Sequence, residues 1–299
     1  LFIHFAHAQF PVIDRLELAF AQGASDSVIV QLSRLWGASN TSRNLRFEAS
    51  LLLAECYYQR ASMEQFAAWN DSAAALITAE EDQRLARIEV NKCRYANFFI
   101  KPELALLWGN KAMVRYRNAA NRARWKHSYM IYQTLGTTHR NIHGEQEVLF
   151  ALFDTAQILL ARQSDVIPYW QAHLHKAVSN AALDRLVSGL YDKGTYGPRC
   201  DREQRAALRI LEAQYPAQLV ERGTMLNLRG LYHLYTNRPD SALVHFQQSA
   251  SLIGPADRSR KNDQLTSTWL ACLRYRSFVF DQEPWRNDSS SLRIYLGEL

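Results

Sequence analysis

The residues between His139 and Glu147 come closest to a chemical site in this chain. His139 and His143 stand four apart, with Glu145 and Glu147 just beyond. Two imidazoles at that spacing on one helical face, completed by a carboxylate, are the usual start of a zinc site. Gly144 sits in the middle of the group and marks a turn between helices, which breaks the shared face and favours a structural or surface role. A second pair, His173 and His175, is two apart, so on a helix the rings point to different sides. Cysteine and histidine both occur, but no local signature supports a nucleophile with its base. Nor does the sequence contain a P-loop, G-x-G-x-x-G, G-x-S-x-G or H-E-x-x-H motif. No catalytic residue, metal site or cofactor is expected, and the chain reads as not an enzyme.

Charge is more informative than motif. The chain of 299 residues carries a formal net charge of +6. From 104 to 144 it has no Asp or Glu, while Lys111, Arg115, Arg117, Arg122, Arg124, Lys126 and Arg140 all fall there. The first six form a candidate basic patch. Trp108, Tyr116, Trp125 and Tyr129 are interleaved with them. Three readings compete. A solvated basic face over core aromatics is favoured. An acidic protein or peptide, drawn in by long-range attraction, comes second. Single-stranded nucleic acid, held by stacking and phosphate contacts, comes last.

The elements that must position these residues are amphipathic helices in pairs. Residues 11–21 and 25–36 make the first pair, 43–59 and 63–77 the second, 80–99 and 102–117 the third, and 122–138 and 145–162 the fourth. Ala67, Cys93, Ala105, Ala112, Leu149, Phe153 and Ala156 are expected at inward slots. A long helix runs from 165 to near Tyr191, and 193–199 reads as a Gly/Pro turn cluster. A helix resumes at Asp201 with Ala206, Ile210 and Ala213 inward. The pairs 224–255 and 261–298 complete about seven hairpins. Composition is ordinary for a globular chain, 47% apolar and 21% charged. No apolar run reaches the roughly 18 residues that span a bilayer, so no transmembrane segment is expected. Cys56, Cys93, Cys200 and Cys272 lie far apart. Buried free thiols are favoured for them over a Cys56–Cys93 bond.

One hairpin carries a recognisable pattern. In TMLNLRGLYHLYTNRPDSALVHFQQSASLIGP, Thr224 to Pro255, the first helix holds Leu226, Gly230 and His233, and the second holds Ala242, Phe246, Ser249 and Ala250. Asn237 is placed as the cap of the second helix, Pro239 in its first turn and Asp240 at its positive end. Lys101-Pro102-Glu103-Leu104-Ala105-Leu106 repeats the run Arg238 to Leu243, with Ala105 and Ala242 137 positions apart, near four periods of about 34. Leu135 and Gly136 give a further Leu-Gly pair. These spacings resemble the tetratricopeptide repeat (TPR), with Arg229 and His233 standing in that family's Leu and Tyr slots.

The resemblance implies an all-α, right-handed superhelical solenoid of antiparallel helix hairpins. It would span 10–299 as one domain, with its clearest repeats near 80–117, 122–162 and 224–255. First helices would line a concave groove, directing Arg87, Arg94 and Asn97, then Gln133 and Arg140, then Asn227 and Leu231 toward a bound peptide. A clamp for a C-terminal carboxylate is not expected, because its Lys and Asn set is incomplete. The implied function is a protein- or peptide-binding scaffold whose partner is acidic, with nucleic acid disfavoured. The alternative is the N-terminal sensing or autoinhibitory region of a larger signalling protein, such as a caspase-like protease, a histidine kinase or a transcription regulator. Residues 1–9, with Ala6-His7-Ala8 before Gln9, read as the end of a signal peptide, which favours export over a cytoplasmic location.

Overall fold

The computed structural model describes residues 10–142, 144–188 and 193–253. Among them are twelve α-helices, one short 3-10 turn and no strand. Helices α1 (Pro11–Ala21) and α2 (Ser25–Gly37), α3 (Arg43–Gln59) and α4 (Met63–Ala74), α5 (Asp82–Phe98) and α6 (Pro102–Asn118), and α7 (Tyr129–Asn141) and α8 (Gln146–Ala161) follow as hairpins. The longer α9 (Pro168–Val187) and α10 (Lys193–Gln214) come next, and α11 (Leu219–Tyr235) with α12 (Pro239–Ile253) makes a fifth hairpin. The chain divides into two compact units, residues 1–181 with 209–218, and residues 182–208 with 219–299. The final pair expected at 261–298, Cys272 and the N-terminal stretch 1–9 lie outside the described residues.

Four of the five hairpins close in the same way. Gly23, Ala61, Ile100 and Asn237 all have positive φ, at 92°, 56°, 52° and 60°. Each ends a first helix with two reversed bonds. The amide of Ala61 donates to Tyr58 O and that of Ser62 to Tyr57 O, and Ile100 and Lys101 donate to Asn97 O and Ala96 O. Asn237 and Arg238 repeat this with Leu234 O and His233 O, as do Gly23 and Ala24 with Phe20 O and Ala19 O. This is the Schellman arrangement, which satisfies carbonyls that a helix end would leave bare. Asn237 therefore terminates α11 in the left-handed region, rather than capping α12. Pro102 and Pro239 each open the following helix, where a missing N–H costs nothing.

Within each hairpin, small residues face large ones. A Cβ on Gly230 would lie 2.6 Å from Cδ1 of Phe246, and one on Gly136 would lie 3.0 Å from Phe153. In α6 the order is reversed. Gly109 leaves room for Leu135 and for the Cys93 thiol. Ala105, Ala112, Leu149, Phe153, Ala156, Ala242 and Phe246 are fully buried, as their slots require. In α4 the inward residue is Phe66, not Ala67, because Phe66 fills the space beside Ala54 and Met63.

Two segments and one register differ from the periodic pattern. Residues 122–128 are not α-helical beyond the 3-10 turn Arg122–Arg124. Trp125 drives its ring into the core beside Tyr116 and Leu135. Its indole N–H donates to Asn121 Oδ1 at 2.9 Å. The Gln163 amide accepts from the His127 N–H and donates to Trp125 O and Ser128 Oγ, serving backbone that a helix would otherwise satisfy. The stretch 193–199 is the start of α10, not a turn cluster, with Pro198 inside the helix. Its continuation in the second unit is held where Gln204 donates to Leu228 O and Arg229 pairs with Asp201 at 3.1 Å. In α10 the buried apolar positions are Cys200, Ala207, Leu208 and Leu211; Ala207 and Leu211 stand one step beyond the expected Ala206 and Ile210, which are half-buried, and the expected Ala213 is exposed.

Candidate functional site

In the first unit α3 and α5 are joined by a ladder of charge. Arg87 donates to both carboxylate oxygens of Glu48, at 2.8 and 2.9 Å. Arg94 donates to both of Glu55, at 2.6 and 3.0 Å. Each pair spans 39 residues, so each joins the same position of successive hairpins. The guanidiniums also stack, Arg94 on Tyr58 at 3.8 Å and Arg87 on Phe47 at 5.5 Å. Arg94 and Glu55 are nearly enclosed, their side chains 11% and 9% exposed. Burial pushes the Glu55 carboxyl up, but the Arg94 charge and hydrogen bonds outweigh it and hold the group below its ordinary range. The ladder continues into α7, where Asn97 donates to Thr138 Oγ1 at 3.0 Å and Cys93 lies 3.5 Å from the same oxygen.

Beside the ladder lies a buried cluster that sequence reasoning missed. Glu17 of α1 accepts from the Trp170 indole of α9 at 2.6 Å, and Lys126 approaches its other oxygen at 4.0 Å. Burial raises the Glu17 carboxyl, partly offset by Lys126 and the indole N–H. Tyr129, at the start of α7, is 1% exposed, and its hydroxyl has no hydrogen-bond partner among the described residues. Burial pushes that phenol well up, and the Glu17 and Glu55 charges add to the effect. His127, 6.1 Å away, is held well below the usual histidine range by burial and then by Arg87 and Lys126. In the sequence Tyr129 reads as a core aromatic beside the basic Lys126, but nothing local joins them to Glu17 of α1 and Trp170 of α9.

The expected groove residues are therefore only partly brought together. Arg87, Arg94 and Asn97 lie on α5, and Gln133 and Arg140 on α7, all in the first unit. Arg87, Arg94 and Asn97 spend their polar groups on neighbouring hairpins, while Gln133 and Arg140 are half-buried. Asn227 is buried on α11 of the second unit, where Leu231 packs beside Leu234 and Phe246.

The acid-free interval of the sequence is not acid-free in space. Arg115 pairs with Glu89 at 3.0 Å and Asp82 at 2.8 Å, and Lys126 with Asp14 at 3.4 Å. Arg122 donates to the Arg117 carbonyl at 2.7 Å. Lys111 lies over the Trp108 ring at 4.5 Å, with Lys92 over the same ring at 4.6 Å. Tyr116, Trp125 and Tyr129 are core residues, which leaves Trp108 as the half-buried one of those four aromatics.

His139 is half-buried against the turn at Gly144, whose amide donates to the His139 carbonyl at 2.9 Å, and His143 lies outside the described residues. Among the described residues no group of three or more His, Cys, Asp and Glu comes together to hold a metal ion. No helix among them is long and apolar enough to cross a membrane. Cys56, Cys93 and Cys200 are buried and stand outside any disulfide. Comparison with known proteins gives no match: no family model, no curated protein and no solved structure is significantly similar to the chain.

Proposed function

We propose that the chain is a non-enzymatic interaction module of the TPR type, a right-handed superhelical stack of hairpins that holds an acidic protein or peptide. The observation that carries this reading is the 39-residue ladder between α3 and α5, Glu48 with Arg87 and Glu55 with Arg94. It registers one hairpin on the next, and hairpins stacked in register present long surfaces suited to extended partners. The sign of the partner follows from Lys111, Arg117, Arg122 and Arg124, which form no ion pair with an acid among the described residues.

The test is capture of partners from native extract on the immobilised chain, eluted with increasing salt. Exposed charges are screened beyond about 8–10 Å near physiological ionic strength. The variant with Lys111, Arg117, Arg122 and Arg124 changed to Gln should then release partners at lower salt than the wild type. Identical partners with an identical salt profile would make the stretch a solvated face. Absence of any specific partner would end the module reading.

A further inference from the structure

We propose that the turn between α5 and α6, with the first two turns of α6, docks an acidic amphipathic helix of a partner protein; the proposal rests on the interaction-module reading. Phe98 and Phe99 are about half exposed and Ile100 is 77% exposed, and Leu104 and Leu107 follow on α6, also exposed. The aromatic pair is held in place, with Phe99 4.8 Å from the Tyr95 ring and Phe98 5.2 Å from Phe99. Five large apolar side chains within ten residues, all facing water, form a surface rather than scattered exposure.

Ile100 makes the case specific. It occupies the left-handed turn position, with φ of 52°, which β-branched residues avoid more than any other. The corresponding turns use Gly23, Ala61 and Asn237. Its side chain is mostly in water, so folding gains little from it while the backbone bears the strain. Strain of this kind without a folding benefit marks a functional position.

Charge selects the occupant. Lys101 adjoins Ile100, and Lys92 and Lys111 hold their ammonium groups over Trp108. None of the three has an acid partner among the described residues, and Glu103 is the one acid on this edge. The apolar residues do not end at the turn. Leu104 and Leu107 carry them along α6, and Val114 stands two turns further on, 55% exposed. Leu104, Leu107 and Val114, at i, i+3 and i+10, share one face of α6 with Lys111 at i+7, and this mixed apolar and basic face complements a second helix that carries an apolar stripe and acidic residues.

The probe is a labelled three-heptad peptide with leucine at a and d and glutamate elsewhere, titrated by fluorescence anisotropy. Controls are the same peptide with lysine for glutamate, and phosphatidylcholine vesicles containing one third phosphatidylserine. The acidic peptide should bind saturably and more weakly in high salt, and the lysine peptide should not. Phe99→Ser and Leu107→Ser should each weaken binding about tenfold. Ile100→Asn should weaken it while raising the melting temperature, since Asn tolerates the left-handed turn; a misfolded variant cannot give that pair of results. Unchanged affinity in all three variants, equal binding of the lysine peptide, or binding of vesicles in place of the peptide would each overturn the proposal. If these variants keep every partner captured by the wild type, this surface is refuted and the module reading stands.

Discussion

Removing Arg94 should destabilise the first unit severely, and the loss should depend on pH in a predictable direction. In the native chain Glu55 is buried, and among the described residues its hydrogen-bond partner besides Arg94 is the Gln59 amide, at 2.8 Å. The substitution Arg94→Leu leaves that carboxylate without its charge partner. Stripping one member from a buried ion pair costs about 3–5 kcal/mol, which for a unit of this size lowers the melting temperature by roughly 6–20 °C. The native Glu55 carboxyl is held below its ordinary value near 4.5. Its contribution to stability is thus complete above that value and is lost as pH falls through the depressed folded value. In the variant burial, the largest of the influences on this carboxyl, is opposed only by the Gln59 amide and the more distant His173, so the folded value rises above the unfolded one. The penalty then grows as pH climbs from about 4.5 toward neutrality. The assay is urea unfolding followed by circular dichroism at pH 5 and pH 7, on the wild type, Arg94→Leu, and Glu55→Leu with Arg94→Leu. The single variant should lose most at pH 7 and less at pH 5, and the double variant should recover much of the loss. A pH-independent loss would mean that packing on Tyr58, not charge, is what Arg94 supplies. A loss under about 1 kcal/mol would place the pair with weak surface bridges and refute the reasoning.

Three further outcomes are expected. Gly230→Leu should cost about 1–3 kcal/mol through overpacking against Phe246, and Phe246→Ala in the same chain should relieve part of it; additive effects in a double-mutant cycle would show that the two do not meet. Tyr129→Phe should leave thermal stability unchanged or slightly higher, because the hydroxyl it removes has no partner among the described residues and a buried unpaired group costs about 1–3 kcal/mol; a clear drop in melting temperature would reveal a bond to that oxygen. Burial pushes the thiols of Cys56 and Cys200 up to about 12 and that of Cys93 up to about 11, so all three should resist alkylation at pH 8 until the chain is unfolded; rapid labelling of any of them in the native protein would contradict their enclosure.

The sequence by itself determined the helices, most of their pairing and the small-against-large packing inside hairpins. These rest on local rules: a 3.6-residue apolar period, a proline that tolerates only a first turn, and glycine where an aromatic ring arrives. Gly230, Phe246, Gly136 and Phe153 were placed in their slots by the resemblance to the repeat; that each glycine meets the ring of its own hairpin came from the structure. The 39-residue spacing of Glu48 with Arg87 and Glu55 with Arg94 was also in the sequence, but no rule of local structure gives such a spacing meaning. The fate of the charges belonged to the tertiary structure. Arg115 and Lys126 stand in an interval without acids, yet Glu89, Asp82 and Asp14 reach them from α5 and α1. The segment around Trp125 kept only a 3-10 turn because Gln163, some 38 residues on, satisfies its backbone. The 193–199 stretch became helix despite Pro198 and two glycines, because neighbours in space outweighed local preference. Electrostatic and packing energies depend on distance in space, and only the fold converts positions in the chain into such distances.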